Sequence, residues 1–279
     1  MSGSDVVVQG PGATLDVALA LAPLARASDA EALSRTSTPA FRLVDGVLDD
    51  AVAAAARAER LDVATVPRDR VLADVGVVAM DMDSTLITIE CIDEIADMLG
   101  IKPQVAAITE AAMRGELDFR ASLTRRVALL AGLPVEALQR VYDERLRVTP
   151  GAETMLAGFH AVGATSLLVS GGFTFFTDRL MARVGLHATL SNVLGIEDDR
   201  LTGRVVGDIV DARAKAQALR DVHAGRGGLA VAIGDGANDL PMFGMADVSI
   251  AFRAKPVVRA QATHAIDFCG LDAVLNLFA

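Results

Sequence analysis

The chain has 279 residues, 52% of them hydrophobic, and a formal net charge of −10. That length can bury a substantial core in one large domain or two unequal ones, and a negative balance without any long basic run argues against nucleic acid as a partner. Its apolar stretches are broken by Gly, Asp or Thr well short of the ~18 residues of a membrane span, so no membrane association is expected.

The first ~70 residues read as a small α/β unit. Val6-Val7-Val8 is a short strand, residues 13–27 are apolar at helical spacing, and Phe41-Arg42-Leu43-Val44 before Asp45-Gly46 reads as strand then turn. Residues 49–60 form an alanine-rich helix and residues 62–66 another strand; Pro67 and Arg68-Asp69-Arg70 read as a linker. Residues 1–9 have neither the basic nor the apolar segment of a leader, and Cys91 and Cys269 lack metal-type spacing, as in a reducing compartment; the cytoplasm is expected. This N-terminal unit, 1–70, carries no catalytic constellation and reads as a regulatory or dimerising appendage, which leaves a homodimer open.

From Val75 the pattern changes. Residues 75–80 are apolar except for Gly76, as expected of a parallel strand buried on both faces, and lead into Asp81-Met82-Asp83-Ser84-Thr85. Residues 166–169 lead into Ser170-Gly171-Gly172, and residues 229–233 into Gly234-Asp235-Gly236; residues 248–252 form a fourth strand. Helices at 153–162, 175–184, 215–224 and 240–246 alternate with them, which predicts an α/β fold with a doubly wound, Rossmann-like parallel sheet over 71–279. Such sheets bind ligands beyond the carboxyl ends of their strands, so the three polar turns should surround one crevice. Residues 88–148 are helical with no strand between, a cap inserted over that crevice; Gly100 and Gly132 end helices there, and Pro103 and Pro134 begin them.

Asp81 and Asp83, two apart at a strand end, can both face the crevice, one carboxylate attacking while the other handles protons. Two acids in one place repel, so a cation is needed to keep the attacker ionised. Asp235 and Asp239 are hard oxygen ligands of the kind Mg²⁺ prefers. Ser170-Gly171-Gly172 offers a hydroxyl and free backbone N–H groups as a phosphate cradle, and Lys215 is the cation available to a transferring phosphoryl group. Each piece alone is weak; their order, each acidic or Gly-rich motif ending a strand, is specific.

Together these motifs resemble the haloacid dehalogenase superfamily of aspartate-nucleophile phosphatases. Asp81-Met82-Asp83-Ser84-Thr85-Leu86-Ile87, Glu90, Asp93-Glu94-Ile95-Ala96, Thr109-Glu110-Ala111-Ala112-Met113, Phe119, Ser122-Leu123 and Arg125-Arg126-Val127 resemble the phosphoserine phosphatases within it, over residues 75–279. The resemblance implies the haloacid dehalogenase type of sheet with Asp81 as nucleophile and Mg²⁺ ligand. It makes Asp83 the general acid and base, with its carbonyl on the metal, and Asp235 the third protein ligand. Asn238 and Asp239 would hold substrate phosphate or metal-bound water, and Ser170, Gly171 and Lys215 the phosphoryl group. Glu90 would meet the ammonium of O-phospho-L-serine, Arg126 its carboxylate, and Met113 and Phe119 would line the lid. The N-terminal unit resembles the short leading domains of bacterial members, of an ACT-like kind. Met82 stands where an aromatic is common and should point into the core. Three other readings stay open: another small phosphomonoester or phosphotransfer, a phospho-aspartate receiver, or an amino-acid-binding module.

Overall fold

The computed structural model describes residues 3–279 apart from the side chain of Met113, so the reading of that side chain as lid lining lies outside the described residues. The N-terminal elements are β1 (Ser4–Gln9), α1 (Leu15–Leu24), β2 (Asp29–Leu33), β3 (Ala40–Val44), α2 (Asp50–Ala58) and β4 (Asp62–Pro67). They form a four-stranded antiparallel sheet in the order β2-β3-β1-β4, a βαββαβ unit. Val6, Val8 and Leu43 pack with Ala18 and Leu21 of α1 and Val52 and Ala56 of α2. Thr14 and Asp49 cap the two helices.

The second sheet begins with β5 (Val75–Met80) and is followed by α3 (Cys91–Met98), α4 (Lys102–Met113), α5 (Phe119–Ala128), α6 (Glu136–Arg140) and α7 (Ala152–Ala161). Then come β6 (Thr165–Phe173), α8 (Thr174–Val184), β7 (Ala188–Glu197), β8 (Arg200–Val206), α9 (Ala212–Arg226), β9 (Leu229–Gly234), α10 (Leu240–Phe243), β10 (Val248–Phe252), α11 (Pro256–Arg259) and β11 (His264–Ile266). The strand order is β11-β10-β9-β5-β6-β7-β8, parallel throughout except for the antiparallel β7–β8 pair. This is the expected doubly wound α/β class. Successive β5 side chains divide between its faces: Val77 and Ala79 pack with Leu219 of α9 and Met242 of α10, Val78 and Met80 with the layer containing Phe159 of α7 and Phe176 of α8. Gly76 lies so close to the backbone of Gly227 that any Cβ there would overlap its carbonyl.

The helices α3 to α6 depart from the sheet after β5 and return through the bridge between Ile87 and Val148. Backbone bonds tie this cap to the β7–β8 hairpin: Gly132 donates to Leu201, Leu201 to Leu133, and Val135 to Asp199, over 2.8–3.0 Å. Residues 68–70, expected to be a linker, are instead paired. Arg68 reaches the Asp5 carboxylate at 2.7 Å and Asp45 at 2.8 Å, and Arg70 donates to His264 over 2.9 Å. The four-stranded sheet is bound to the chain's last segment. Asp62 accepts from the backbone of Asp267, Phe268 and Cys269, Arg35 donates to the carbonyls of Leu275 and Phe278, and Asp272 accepts from Ser37 and Thr38. No helix among the described residues is long and apolar enough to cross a membrane.

Candidate active site

The carboxyl ends of β5, β6 and β9 bring the three polar turns together. After β5 the chain makes a tight turn over Met82–Leu86, with Ser84 at φ +55° and the amide of Leu86 bonded back to the Asp81 carbonyl. Met82 is fully buried in the core, its Cε lying beside Asp83 Oδ2 against Gly172. Asp81, only 5% exposed, accepts from the Met82 N–H over 2.7 Å through Oδ1. Its Oδ2 lies 2.7 Å from Lys215 Nζ and accepts from the Asn238 amide at 3.4 Å.

Lys215 comes from the first turn of α9, where the Asp211 side chain caps the helix through the amides of Arg213 and Ala214. Its ammonium is 1% exposed and also meets Asp239 Oδ1 at 2.9 Å. Burial opposes the charge, yet the Asp81 and Asp239 carboxylates together hold Lys215 above the usual lysine range. Asp239 is pushed up to about 6 all the same, because burial and the Asp81 charge outweigh the lysine. Asp235 rises to about 7 through burial and the charges of Asp81 and Asp239.

One oxygen from each of Asp81, Asp235 and Asp239 lies within 4.8 Å of the others. Three carboxylates sharing one lysine leave an excess of negative charge, and an all-oxygen donor set suits a hard divalent cation. The residues therefore fit a metal ion. Asp83 points its carboxylate elsewhere: Oδ1 accepts from the Cys91 N–H at the start of α3 over 3.1 Å, and Oδ2 lies 3.2 Å from where a Cβ on Gly172 would stand. Burial first, then the charges of Glu90 and Asp81, raise Asp83 to about 8, which favours its protonated form.

The Ser170-Gly171-Gly172 turn interrupts the pairing of β6 with β7, which resumes at Phe173 opposite Asn192. Ser170 Oγ accepts from the Gly172 N–H at 2.8 Å. Gly171 supports the ring of Phe119 at the start of α5: a Cβ on Gly171 would come within 2.9 Å of the ring. The cap thus rests on the turn through that aromatic. Glu90, just before α3, accepts from Ser84 Oγ over 2.7 Å. Arg126 on α5 is half-buried, and its buried Nε has no hydrogen-bond partner among the described residues. Burial lowers the Arg126 pKa, opposed by the charges of Asp93, Glu90 and Asp83, so the guanidinium stands among these acids.

Asp81, Asp83, Asp235, Lys215, Asn238 and the serine-glycine turn therefore meet beyond the strand ends, with Glu90, Phe119 and Arg126 on the side of the cap. Sequence reasoning missed the Cys91 amide that anchors Asp83 and the Asn192 side chain, which bonds Gly171 O. The first is a backbone group and the second an asparagine without a motif around it, so neither leaves a sequence signal. The carboxylate of Asp239, read from the sequence as a hard oxygen ligand or a holder of phosphate or metal-bound water, clusters with those of Asp81 and Asp235.

Residues 78–244 match the model for haloacid dehalogenase-like hydrolases, and residues 217–278 match a second model of the same description. The chain is 52% identical to a phosphoserine phosphatase of Polaromonas sp. over 218 residues, covering 75% of this chain and 92% of that one. Among solved structures, an unliganded probable phosphoserine phosphatase from Vibrio cholerae superimposes with a TM-score of 0.85 at 35% identity, covering 98% of this chain and 86% of its own. A substrate-bound phosphoserine phosphatase complex gives a TM-score of 0.68 at 36% identity over 74% of this chain and 99% of its own. The chain belongs to the haloacid dehalogenase-like hydrolases, in the family of the phosphoserine phosphatases.

Proposed function

We propose that the protein hydrolyses O-phospho-L-serine to L-serine and phosphate through an aspartyl phosphate on Asp81. The observation that carries this reading is the division of charge around that residue. Lys215, Asp235 and Asp239 flank Asp81, while the half-buried Arg126, its Nε unpaired among the described residues, stands with Glu90 on the cap side. A zwitterionic phosphomonoester needs this pattern: a cationic cradle for phosphate, an anion for its ammonium and a planar fork for its carboxylate. The names of the Polaromonas relative and of the substrate-bound complex support the same substrate class.

In the first step the Asp81 carboxylate attacks phosphorus in line, and the P–O bond to serine breaks. Asp83 gives its proton to the departing serine oxygen. In the second step Asp83 takes a proton from the water that attacks the aspartyl phosphate, and the P–O bond to Asp81 breaks, restoring both carboxyls. Ser170 and the Gly171 amide receive phosphoryl oxygens, as does Asn238, and Lys215 offsets their charge. Asp81, Asp235 and the Asp83 carbonyl would hold Mg²⁺, with Asp239 beside them. Such an ion supplies neutralisation of the charge that develops on the phosphoryl group. The cap, resting through Phe119 on Gly171, keeps bulk water from the aspartyl phosphate until serine leaves.

Phosphate release from phosphoserine at steady state, with Mg²⁺ and after chelation, tests the reading. Metal-dependent turnover is expected. Release from other phosphomonoesters but not from phosphoserine would sink the substrate assignment, and release from none would sink the chemistry.

Residues 1–70 we read as an ACT-like unit, regulatory or dimerising, of a cytoplasmic enzyme. Its βαββαβ order and antiparallel sheet support the ACT-like part of that reading.

A further inference from the structure

We infer that Asn192 is a positioning residue that sets the phosphate turn and the helix bearing Lys215 in fixed relation to each other. The inference rests on the proposal that phosphate is held by the Ser170–Gly172 turn.

Asn192 lies on β7, is 1% exposed, and spends both ends of its carboxamide on backbone. Nδ2 donates to the carbonyl of Gly171 at 2.8 Å, and Oδ1 accepts from the N–H of Val210 at 2.8 Å. Those partners fix which end of the amide is which.

The first bond acts on the turn. Between Val169 and Phe173 four steps along β6 lie against two along β7, so the turn residues bulge out of the ladder. The Asn192 amide provides the Gly171 carbonyl with a bond there. A carbonyl and the following N–H belong to one rigid peptide plane and point opposite ways. Holding Gly171 O therefore also aims the Gly172 N–H, which bonds Ser170 Oγ over 2.8 Å.

The second bond acts on α9. Val210 immediately precedes Asp211, whose side chain caps α9 through Arg213 and Ala214 at 3.0 Å and whose carbonyl accepts from the Lys215 amide at 3.0 Å. Anchoring Val210 thus anchors the entry to the turn that carries Lys215. The cap meets the same short stretch: Arg120 on α5 donates to Ile209 O at 3.3 Å and Asp211 Oδ2 at 3.4 Å.

This position needs an uncharged donor and acceptor on one rigid side chain. Aspartate would accept from Val210 but set a negative charge against the Gly171 carbonyl, and leucine would fill the volume with neither bond.

The experiment compares Asn192→Leu and Asn192→Asp with the parent, on phosphoserine and on para-nitrophenyl phosphate, with kcat taken per folded enzyme. Amide exchange at Gly172 and Val210 is measured alongside. Asn192→Leu is expected to lower kcat about ten- to hundredfold on both substrates alike, because the misplaced groups serve phosphate and not serine. Gly172 exchange should quicken in both variants, and Val210 exchange only in Asn192→Leu. Unchanged kcat with unchanged Gly172 exchange, or a loss confined to phosphoserine, would overturn the inference. If Asn192→Leu fails to fold, Asn192→Asp carries the same kinetic and Gly172 comparison. A parent active on para-nitrophenyl phosphate but not on phosphoserine would refute the substrate reading alone and leave the Asn192 comparison intact. A parent active on neither substrate leaves the exchange measurement to decide.

Discussion

Lys215 Nζ lies 2.7 Å from Asp81 Oδ2, deep enough that the lysine is 1% exposed. A buried ammonium is stable only when paired, and Asp239 completes the pairing at 2.9 Å. Replacing Lys215 by Met keeps the stem and removes the charge. Phosphoserine turnover should fall by roughly 10²–10³ in kcat, the scale of losing one aimed electrostatic group in a closed site. Steady-state kinetics checks this, and a kcat within threefold of the parent would remove Lys215 from the phosphoryl site.

Asp81→Asn should abolish turnover while leaving the fold intact, since the amide neither attacks phosphorus nor carries the charge that Lys215 neutralises. Circular dichroism and phosphate release from the same preparation separate the two effects. Activity above the level set by deamidation would mean that another group is the nucleophile.

Much of this was legible because burial leaves a mark on composition. Val75–Met80 is covered on both faces by helices, so its residues are nearly all apolar, and the aspartates that end it stand out. The strand β7 was missed: its Ser191 and Asn192 are buried but polar, and Val193 and Ile196 are apolar but exposed, so no alternation is visible. The strand β2 is an acidic edge, Asp-Ala-Glu-Ala-Leu, which carries no strand signature, and β11 is three residues long. The tie between Arg70 and His264 spans 194 residues and cannot be inferred from either neighbourhood.

That tie makes a prediction about acid. His264 is 7% exposed, and burial together with the facing Arg70 guanidinium lowers its pKa to about 4. Its folded value lies below the unfolded one of about 6.5, so the unfolded chain binds the proton more readily between them. Stability should be unaffected above pH 7 and fall as pH drops from about 6.5 toward 4, by about 3 kcal/mol in all. Urea unfolding of the parent and of His264→Gln at pH 7.5 and 4.5 isolates this group. The parent should lose more stability than the variant between the two pH values; equal losses would contradict the neutral, arginine-facing histidine.

Asp62 ties the small sheet to the chain's last segment, accepting from three consecutive backbone amides at 2.8–3.1 Å. Asp62→Ala strands those donors, at a cost on the order of 2–4 kcal/mol. The melting temperature should drop, while kcat measured well below it should hold, because none of these groups touches the site. A fall in kcat without a fall in stability would mean that the small sheet acts on the site directly.

Selectivity is the sharpest test of the substrate. Arg126 is half-buried, its buried Nε unpaired among the described residues, and it stands among Asp93, Glu90 and Asp83. If it receives the substrate carboxylate, Arg126→Ala removes a charge-assisted contact and leaves that carboxylate poorly paired in a closed site, a cost on the order of 2–4 kcal/mol. The corresponding fall in kcat/KM for phosphoserine is roughly 30- to 1000-fold. Para-nitrophenyl phosphate has neither an ammonium nor a carboxylate, so the parent should hydrolyse it poorly and the variant should lose little more. The ratio of the two kcat/KM values should therefore collapse toward one. Equal losses on both substrates would place Arg126 in cap stability or phosphate binding, and recognition of the serine moiety would then have to lie elsewhere on the cap.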